Sequence, residues 1–192
     1  MVRWEPGAKD RLQTAAIALF LERGYEETTV QDIAAEAGLT ERTFFRHYAD
    51  KREVLFNGGD SYRAVFVDAI RAAPAGRTPF ELVTAALVAA EDFFSPERRP
   101  WSRKRQRVID ANPALQEREA RKRATLGDAL DAALVERGVP EPEARLTAEV
   151  GAAVFTTAFR QWLAEDEQRP LDEIELELLA RLRALMPVGA PA

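Results

Sequence analysis

The chain has 192 residues, 46% hydrophobic and 31% charged, with a net charge of −5, one histidine and no cysteine. That length and balance suit one large or two small soluble domains and exclude disulfides and thiolate metal sites. No apolar run approaches the ~20 residues of a membrane span, charged residues from Arg3 to Arg11 interrupt the start where a secretory signal would be apolar, and the acidic balance argues against DNA binding by bulk charge; a cytoplasmic location is expected.

Helical period dominates and almost nothing reads as strand, so an all-α fold is expected. A first helix near Gly7 to Arg23 lines up Leu12, Ala15, Ala16, Leu19 and Phe20, and Gly24 stops it. Thr29 caps a second helix, with Asp32 three residues on as in a capping box, and Gly38 ends it. Thr40 caps a third. A fourth helical stretch runs from about Asp50 to Ala73, weakened by Gly58-Gly59. Ala73 to Pro79 is a break. Thr78, Glu81 and Pro79 open a helix that runs to about Phe94. Ser95-Pro96 starts another that ends near Asn112-Pro113. A long helix to Arg137-Gly138 follows, then a loop at Val139-Pro140-Glu141-Pro142, a helix from about Glu143 to Glu167, the link Gln168-Arg169-Pro170 and a last helix to about Leu185. The tail Pro187 to Ala192 is expected to fray.

The stretch Ala37 to Ala49 holds the main functional signal. Ala34, Gly38 and Thr40 supply a small residue at a helix crossing, a glycine at a turn and a cap for the next helix. Phe44 and Tyr48 are four apart and should pack on the first helix. Glu41, Arg42, Phe45 and Arg46 fall largely on the opposite side. Such a helix can stand in a DNA major groove; the same pattern also suits an ordinary small helical core. Local charge is modest, with four basic and two acidic side chains over residues 40–52, so affinity would need a few placed phosphate contacts doubled by a dimer.

Gly24-Tyr25-Glu26-Glu27-Thr28-Thr29-Val30-Gln31-Asp32-Ile33-Ala34, Gly38-Leu39-Thr40 and Thr43 through Leu55 together resemble the DNA-binding domain of the tetracycline-repressor (TetR) family, nearly continuously over residues 10–56. The resemblance implies an all-α protein, with a three-helix helix-turn-helix domain in residues 1–50 and a larger helical effector-binding and dimerisation domain in 51–192. It implies that Thr29 and Thr40 meet phosphates. Glu41, Arg42 and Thr43 would reach base edges, and His47 and Lys51 the DNA backbone. Phe45 departs from the family's usual tyrosine and has no hydroxyl, leaving a sugar or thymine methyl as its contact. Arg42 is the candidate guanine reader, because its planar fork matches two acceptors. Glu41 accepts from cytosine or repels phosphate. His47, with no orienting acid or nucleophile beside it, argues against an enzyme.

The segment from Glu149 to Leu163 is apolar nearly all round, and Leu171, Ile174, Leu178 and Leu185, widened by Leu179, Leu182 and Met186, stripe the last helix. Two faces to bury suit a thick monomer core or, with the resemblance, a four-helix homodimer interface of the last two helices. Phe66, Phe94, Trp101, Val108, Phe155, Phe159 and Trp162 are either plain core or the lining of an effector cavity. Arg98 to Arg107 holds six basic residues in ten. It is a solvated face paired with acids such as Glu117 and Glu119, or a dock, through Arg105, for an acidic lipid-like effector such as an acyl-coenzyme A thioester. The function expected is a sequence-specific regulator, a repressor released from a pseudo-palindromic operator by a small molecule, with Gly58-Gly59 a place for the connecting helix to bend. An activator or ligand-free regulator is the alternative. No metal or cofactor is expected.

Overall fold

The computed structural model describes residues 7–56, 59–91 and 93–185. The described residues form helices α1 (Ala8–Arg23), α2 (Val30–Glu36), α3 (Glu41–His47), α4 (Glu53–Phe56), α5 (Gly59–Ala72), α6 (Pro79–Ala89), α7 (Arg99–Asp110), α8 (Pro113–Glu136), α9 (Glu141–Trp162) and α10 (Leu171–Leu185), with a 3-10 turn at Pro96–Arg98. The all-α expectation holds.

The chain divides into two compact units. A head combines Met1–Gly59 with Pro100–Ala120, and a body combines Asp60–Arg99 with Arg121–Ala192. The division expected at residue 50 therefore moves, and the head includes a later segment. Packing explains this. Val108, Ile109 and Leu115 are buried in one core with Leu12, Phe20, Phe44 and Leu55, and α4, at four residues, cannot hold itself. Arg105 Nε donates to the Leu55 carbonyl at 2.7 Å, and Arg118 Nη2 meets the Glu53 carboxylate at 2.6 Å.

The continuous helix expected from Asp50 starts instead at Glu53. Asp50 Oδ1 accepts from the backbone N–H of Arg52 (2.8 Å) and Glu53 (3.1 Å), so Asp50 precedes the helix and caps it. Gly59 opens α5, while Gly58 lies outside the described residues, as do Met186 and the tail from Pro187 to Ala192.

In the body, α9 packs on α6 and α10, and α10 also packs on α6. Thr78 and Glu81 form the capping box read in the sequence. Two ends come early. The helix expected to reach Phe94 stops at Ala89, where Ala90 N–H turns back to Leu87 at 3.0 Å. The one expected to reach Glu167 stops at Trp162, where Ala164 N–H turns back to Gln161 at 2.9 Å; further on, the Glu167 carboxylate accepts from the N–H groups of Gln168 and Arg169, both at 2.9 Å. Arg137 closes the other end of the body by donating to the carbonyls of Ile70, Arg71, Ala73 and Pro74. It satisfies the orphan acceptors at the end of α5.

Gly151 lets α9 approach α6, since a Cβ there would lie 2.5 Å from Val83 Cγ1. Gly151→Ala is expected to destabilise the body by about 1–3 kcal/mol through overpacking, read as a lower urea midpoint. An unchanged midpoint would show that Val83 moves aside freely.

Candidate nucleic-acid interface

Local chemistry fixes how α3 is presented. Thr29 caps α2 and Asp32 N–H donates to its hydroxyl at 3.1 Å, while Thr29 N–H donates to Asp32 Oδ2 at 2.8 Å. At the far end of α2, Gly38 has φ of +63°. Its N–H reaches Ala35 and the Leu39 N–H reaches Ala34, at 2.9 and 2.8 Å, the paired bonds of a Schellman turn. Thr40 then accepts from Thr43 N–H at 3.2 Å and starts α3. Phe44 and Tyr48 are buried, their rings 5.4 Å apart, and Tyr48 Oη donates to the Lys9 carbonyl of α1. Glu41, Arg42, Phe45 and Arg46 are exposed together and Thr43 is half-buried. Phe45, 54% exposed, has its ring 5.5 Å from that of Phe44 and nearly perpendicular to it, at 81°.

Two cations brace this unit from within. Arg11 Nη2 donates to the carbonyls of Ala37 and Gly38 at the turn. Lys51 Nζ donates to the carbonyls of Tyr25 (2.7 Å), Glu26 (3.2 Å) and Thr28 (3.1 Å), and sits 4.3 Å from the centre of the Tyr25 ring. Burial pushes the Tyr25 phenol up to about 12, so that ring stays neutral. Lys51, expected at the DNA backbone, thus holds the α1–α2 link in this structure. The Thr29 hydroxyl lies 2.6 Å from Asp32 Oδ2, so a phosphate would compete with that carboxylate. His47 is half-buried and its Nε2 has no hydrogen-bond partner.

The eight candidate effector residues divide between the units. Phe66, Phe94, Phe155, Phe159 and Trp162 come together in the body, in ring contacts of 5.3–6.2 Å. Tyr62 and Phe93 join them at 5.9–6.1 and 5.0 Å. Trp101 and Val108 instead pack in the core of the head, where Arg105 pairs with Glu119 at 3.0 Å, both nearly buried. The basic run is divided: Arg99 is buried, Arg103 and Arg105 are half-buried, and Arg98, Lys104 and Arg107 are exposed. Arg98 donates to the Phe93 carbonyl and Arg99 to those of Glu167 and Arg169. The Arg105 dock is corrected accordingly: its guanidinium bonds Leu55 and Glu119 within the head, where Val108 is buried and Trp101 packs half-buried against the same core.

Residues 12–57 match the family described as bacterial regulatory proteins, tetR family, and residues 77–187 match the MftR C-terminal domain. The chain belongs to the tetR family of bacterial regulatory proteins. It is 40% identical over 81 residues to the HTH-type transcriptional regulator TcmR of Streptomyces glaucescens, covering 42% of this chain and 36% of that one. It is 32% identical over 105 residues to the putative mycofactocin biosynthesis transcriptional regulator MftR of Mycobacterium tuberculosis, covering 55% and 52%. The chain thus spans about a third to a half of the length of these curated relatives. Among solved structures, the FadR repressor of Thermus thermophilus in complex with lauroyl-CoA is 26% identical with a TM-score of 0.58, covering 96% and 98% of the two chains. A regulator from Syntrophomonas wolfei, 16% identical with a TM-score of 0.64, shows the same fold.

The tetR-family head carries residues that the sequence did not announce. Thr28 is fully buried, donates to the Gly24 carbonyl at 2.8 Å and offers its own carbonyl to Lys51. In the body, Glu175 is fully buried and neither carboxyl oxygen has a partner. Its place between Leu171 and Leu179, four residues from each, was the available signal. Burial first, and the charge of Asp172 second, push its carboxyl up to about 9.

Two outcomes follow. Lys51→Met removes three hydrogen bonds from a cation and should lower the stability of the tetR-family head by about 1–3 kcal/mol in the absence of DNA. An unchanged denaturation midpoint would leave Lys51 with a surface role only. Glu175 holds its proton more tightly folded than its ordinary value of 4.5. The stability it contributes is therefore full below about pH 4.5 and is lost as the pH rises to about 9. Wild type should lose more stability than Glu175→Gln over that window in urea titrations, whereas parallel curves would contradict the assignment.

Proposed function

We propose that this tetR-family chain is a sequence-specific DNA-binding regulator that acts as a cytoplasmic homodimer, repressing from a pseudo-palindromic operator until a small molecule releases it. One observation carries the reading: α3 is capped by Thr40, anchored by buried Phe44 and Tyr48, and exposes Glu41, Arg42, Phe45 and Arg46 on one side. That is the arrangement a recognition helix needs in a major groove. Arg42 is the guanine reader, Thr43 and Glu41 contact neighbouring bases, and Thr40, Thr29 and His47 lie at the phosphates. Lys51 acts chiefly by holding the link before α2. Phe45 offers an apolar edge to a sugar or thymine methyl.

Dimerisation through α9 and α10 is supported by their outer faces. Leu146 is 69% exposed and Leu185 77%, and Ala153, Leu176 and Ala180 are exposed between them. Small and apolar residues on two packed helices suit a two-fold four-helix interface. The Leu185 side chain, read in the sequence as part of a stripe, belongs to this surface. The aromatic group of the body supports an effector site, and the ligand must bind the two functional states unequally to release DNA. The lauroyl-CoA complex of the Thermus relative makes an acyl thioester one effector to be tested.

Selection of duplexes from a random pool by ligand-free protein is expected to return a two-fold symmetric site. Arg42→Ala should weaken binding to it by about 1–3 kcal/mol and relax preference at one base pair in each half-site. Equal binding of wild type and Arg42→Ala to every duplex would contradict the assignment.

A further inference from the structure

The aromatic group and Glu175 belong to one body and one unsolved polar problem. Leu171 and Ile174, beside Glu175 on α10, share a core with Phe155 and Trp162. In that core both oxygens of Glu175 and the indole Nε1 of Trp162 have no hydrogen-bond partner, and each residue is fully buried. Asp172 Oδ1, one turn earlier, is buried and unpartnered too. Polar atoms so placed give up their water and receive nothing in return, so natural cores rarely keep them without a use. Burial keeps the Glu175 carboxyl protonated near neutrality. It then has an O–H to donate, and the Trp162 N–H is a second donor.

The rings show what shape of molecule would bring the acceptor. Along α9, Phe155 and Phe159 lie 23° from parallel, Phe159 and Trp162 28°, and Tyr62 continues the series on Phe155 at 17°. Phe66, Phe155 and Trp162 are buried, while Tyr62, Phe93, Phe94 and Phe159 are only partly covered. Near-parallel faces with an accessible side suit a flat ring that extends the stack; an alkyl chain has no need of them. Cations are already in place. The Arg98 guanidinium lies 4.6 Å from the centre of the Phe93 ring and that of Arg99 4.8 Å from Trp162. A charged ligand would have to shed its water inside this core, at a cost that a neutral one avoids.

We infer that the body binds a flat, uncharged aromatic molecule bearing a carbonyl or comparable acceptor oxygen, stacked on the α9 rings and hydrogen-bonded by Glu175 and Trp162. This rests on the effector reading above and narrows it to a ligand class. Glu175 supplies a hydrogen bond as a neutral acid, so its amide counterpart can replace it and an alkyl group cannot.

Fluorescence titration of the full chain with acridone, with acridine orange as the cation of similar frame and with lauroyl-CoA, tests the class. Acridone is expected to bind tightest. Glu175→Gln should hold acridone within about threefold of wild type, Glu175→Leu should weaken it at least tenfold, and Trp162→Phe, which keeps a ring and removes the N–H, about five- to tenfold, each hydrogen bond being worth roughly that factor. Thermal melting of free Glu175→Leu should be at or above wild type, because an unpartnered buried carboxyl has gone. If Glu175→Leu fails to fold, Glu175→Gln and Trp162→Phe carry the test alone. No acridone binding, tighter binding of acridine orange or lauroyl-CoA, or acridone affinity unchanged in the folded variants would overturn the inference. A recovered operator together with absent acridone binding would overturn this ligand class alone. Acridone binding with no recovered operator would overturn the regulator reading alone.

Discussion

A helix of seven residues cannot stand by itself in water, and the head depends on that constraint. α3 exists because its inner side is buried and its ends are tied. Phe44 and Tyr48 supply the buried side, the Gly38 turn sets the direction of entry, and Thr40 supplies the first cap. Arg11 and Lys51 hold the turn and the preceding link by donating to carbonyls that would otherwise face water or nothing. The exposed row of Glu41, Arg42, Phe45 and Arg46 is the consequence, and DNA reading is the use proposed for it. Rigidity of the scaffold matters here because bidentate base contacts tolerate little misplacement. The later segment around Val108 and Leu115 completes the same core, so the head is built from two stretches of chain.

The body follows a different logic. Close approach at Gly151, a carbonyl cluster collected by Arg137 and a series of stacked rings stabilise it. Against these stands Glu175, a buried acid with no partner. Removing such a group commonly stabilises a core, and its presence there is what a binding site would require at the expense of the empty protein.

Much of this was legible in the sequence. The capping boxes at Thr29 and Thr78, the glycine turn at Gly38 and the buried pair Phe44 and Tyr48 depend on residues within a few positions of each other, so spacing alone reveals them. The resemblance to the TetR family rested on the same short-range pattern, and the family assignment agrees with it. What the sequence hid is long-range. The resemblance implies a DNA contact for Lys51, while its bonds to three carbonyls 23 to 26 residues away leave no local trace. The resemblance groups Trp101 and Val108 with the body's aromatics, and the basic run adds Arg105, yet their partners are Leu55, Phe56 and the head core. The helix ends at Ala89 and Trp162 come earlier than the hydrophobic period implies, because the backbone tightens there into bonds between residues three apart, from Ala90 to Leu87 and from Ala164 to Gln161. Glu175 went unread because a charged residue at a core position looks like an ordinary break in a stripe.

The central claim is that the outer side of α3 meets DNA bases. The most direct test places the photoreactive residue benzoylphenylalanine at position 45, where the side chain of Phe45 is exposed and edge-on to Phe44. Irradiated on its selected duplex, the protein is expected to crosslink to nucleotides of both half-sites in symmetric positions. Crosslinks confined to protein, or scattered evenly along the duplex, would contradict the account.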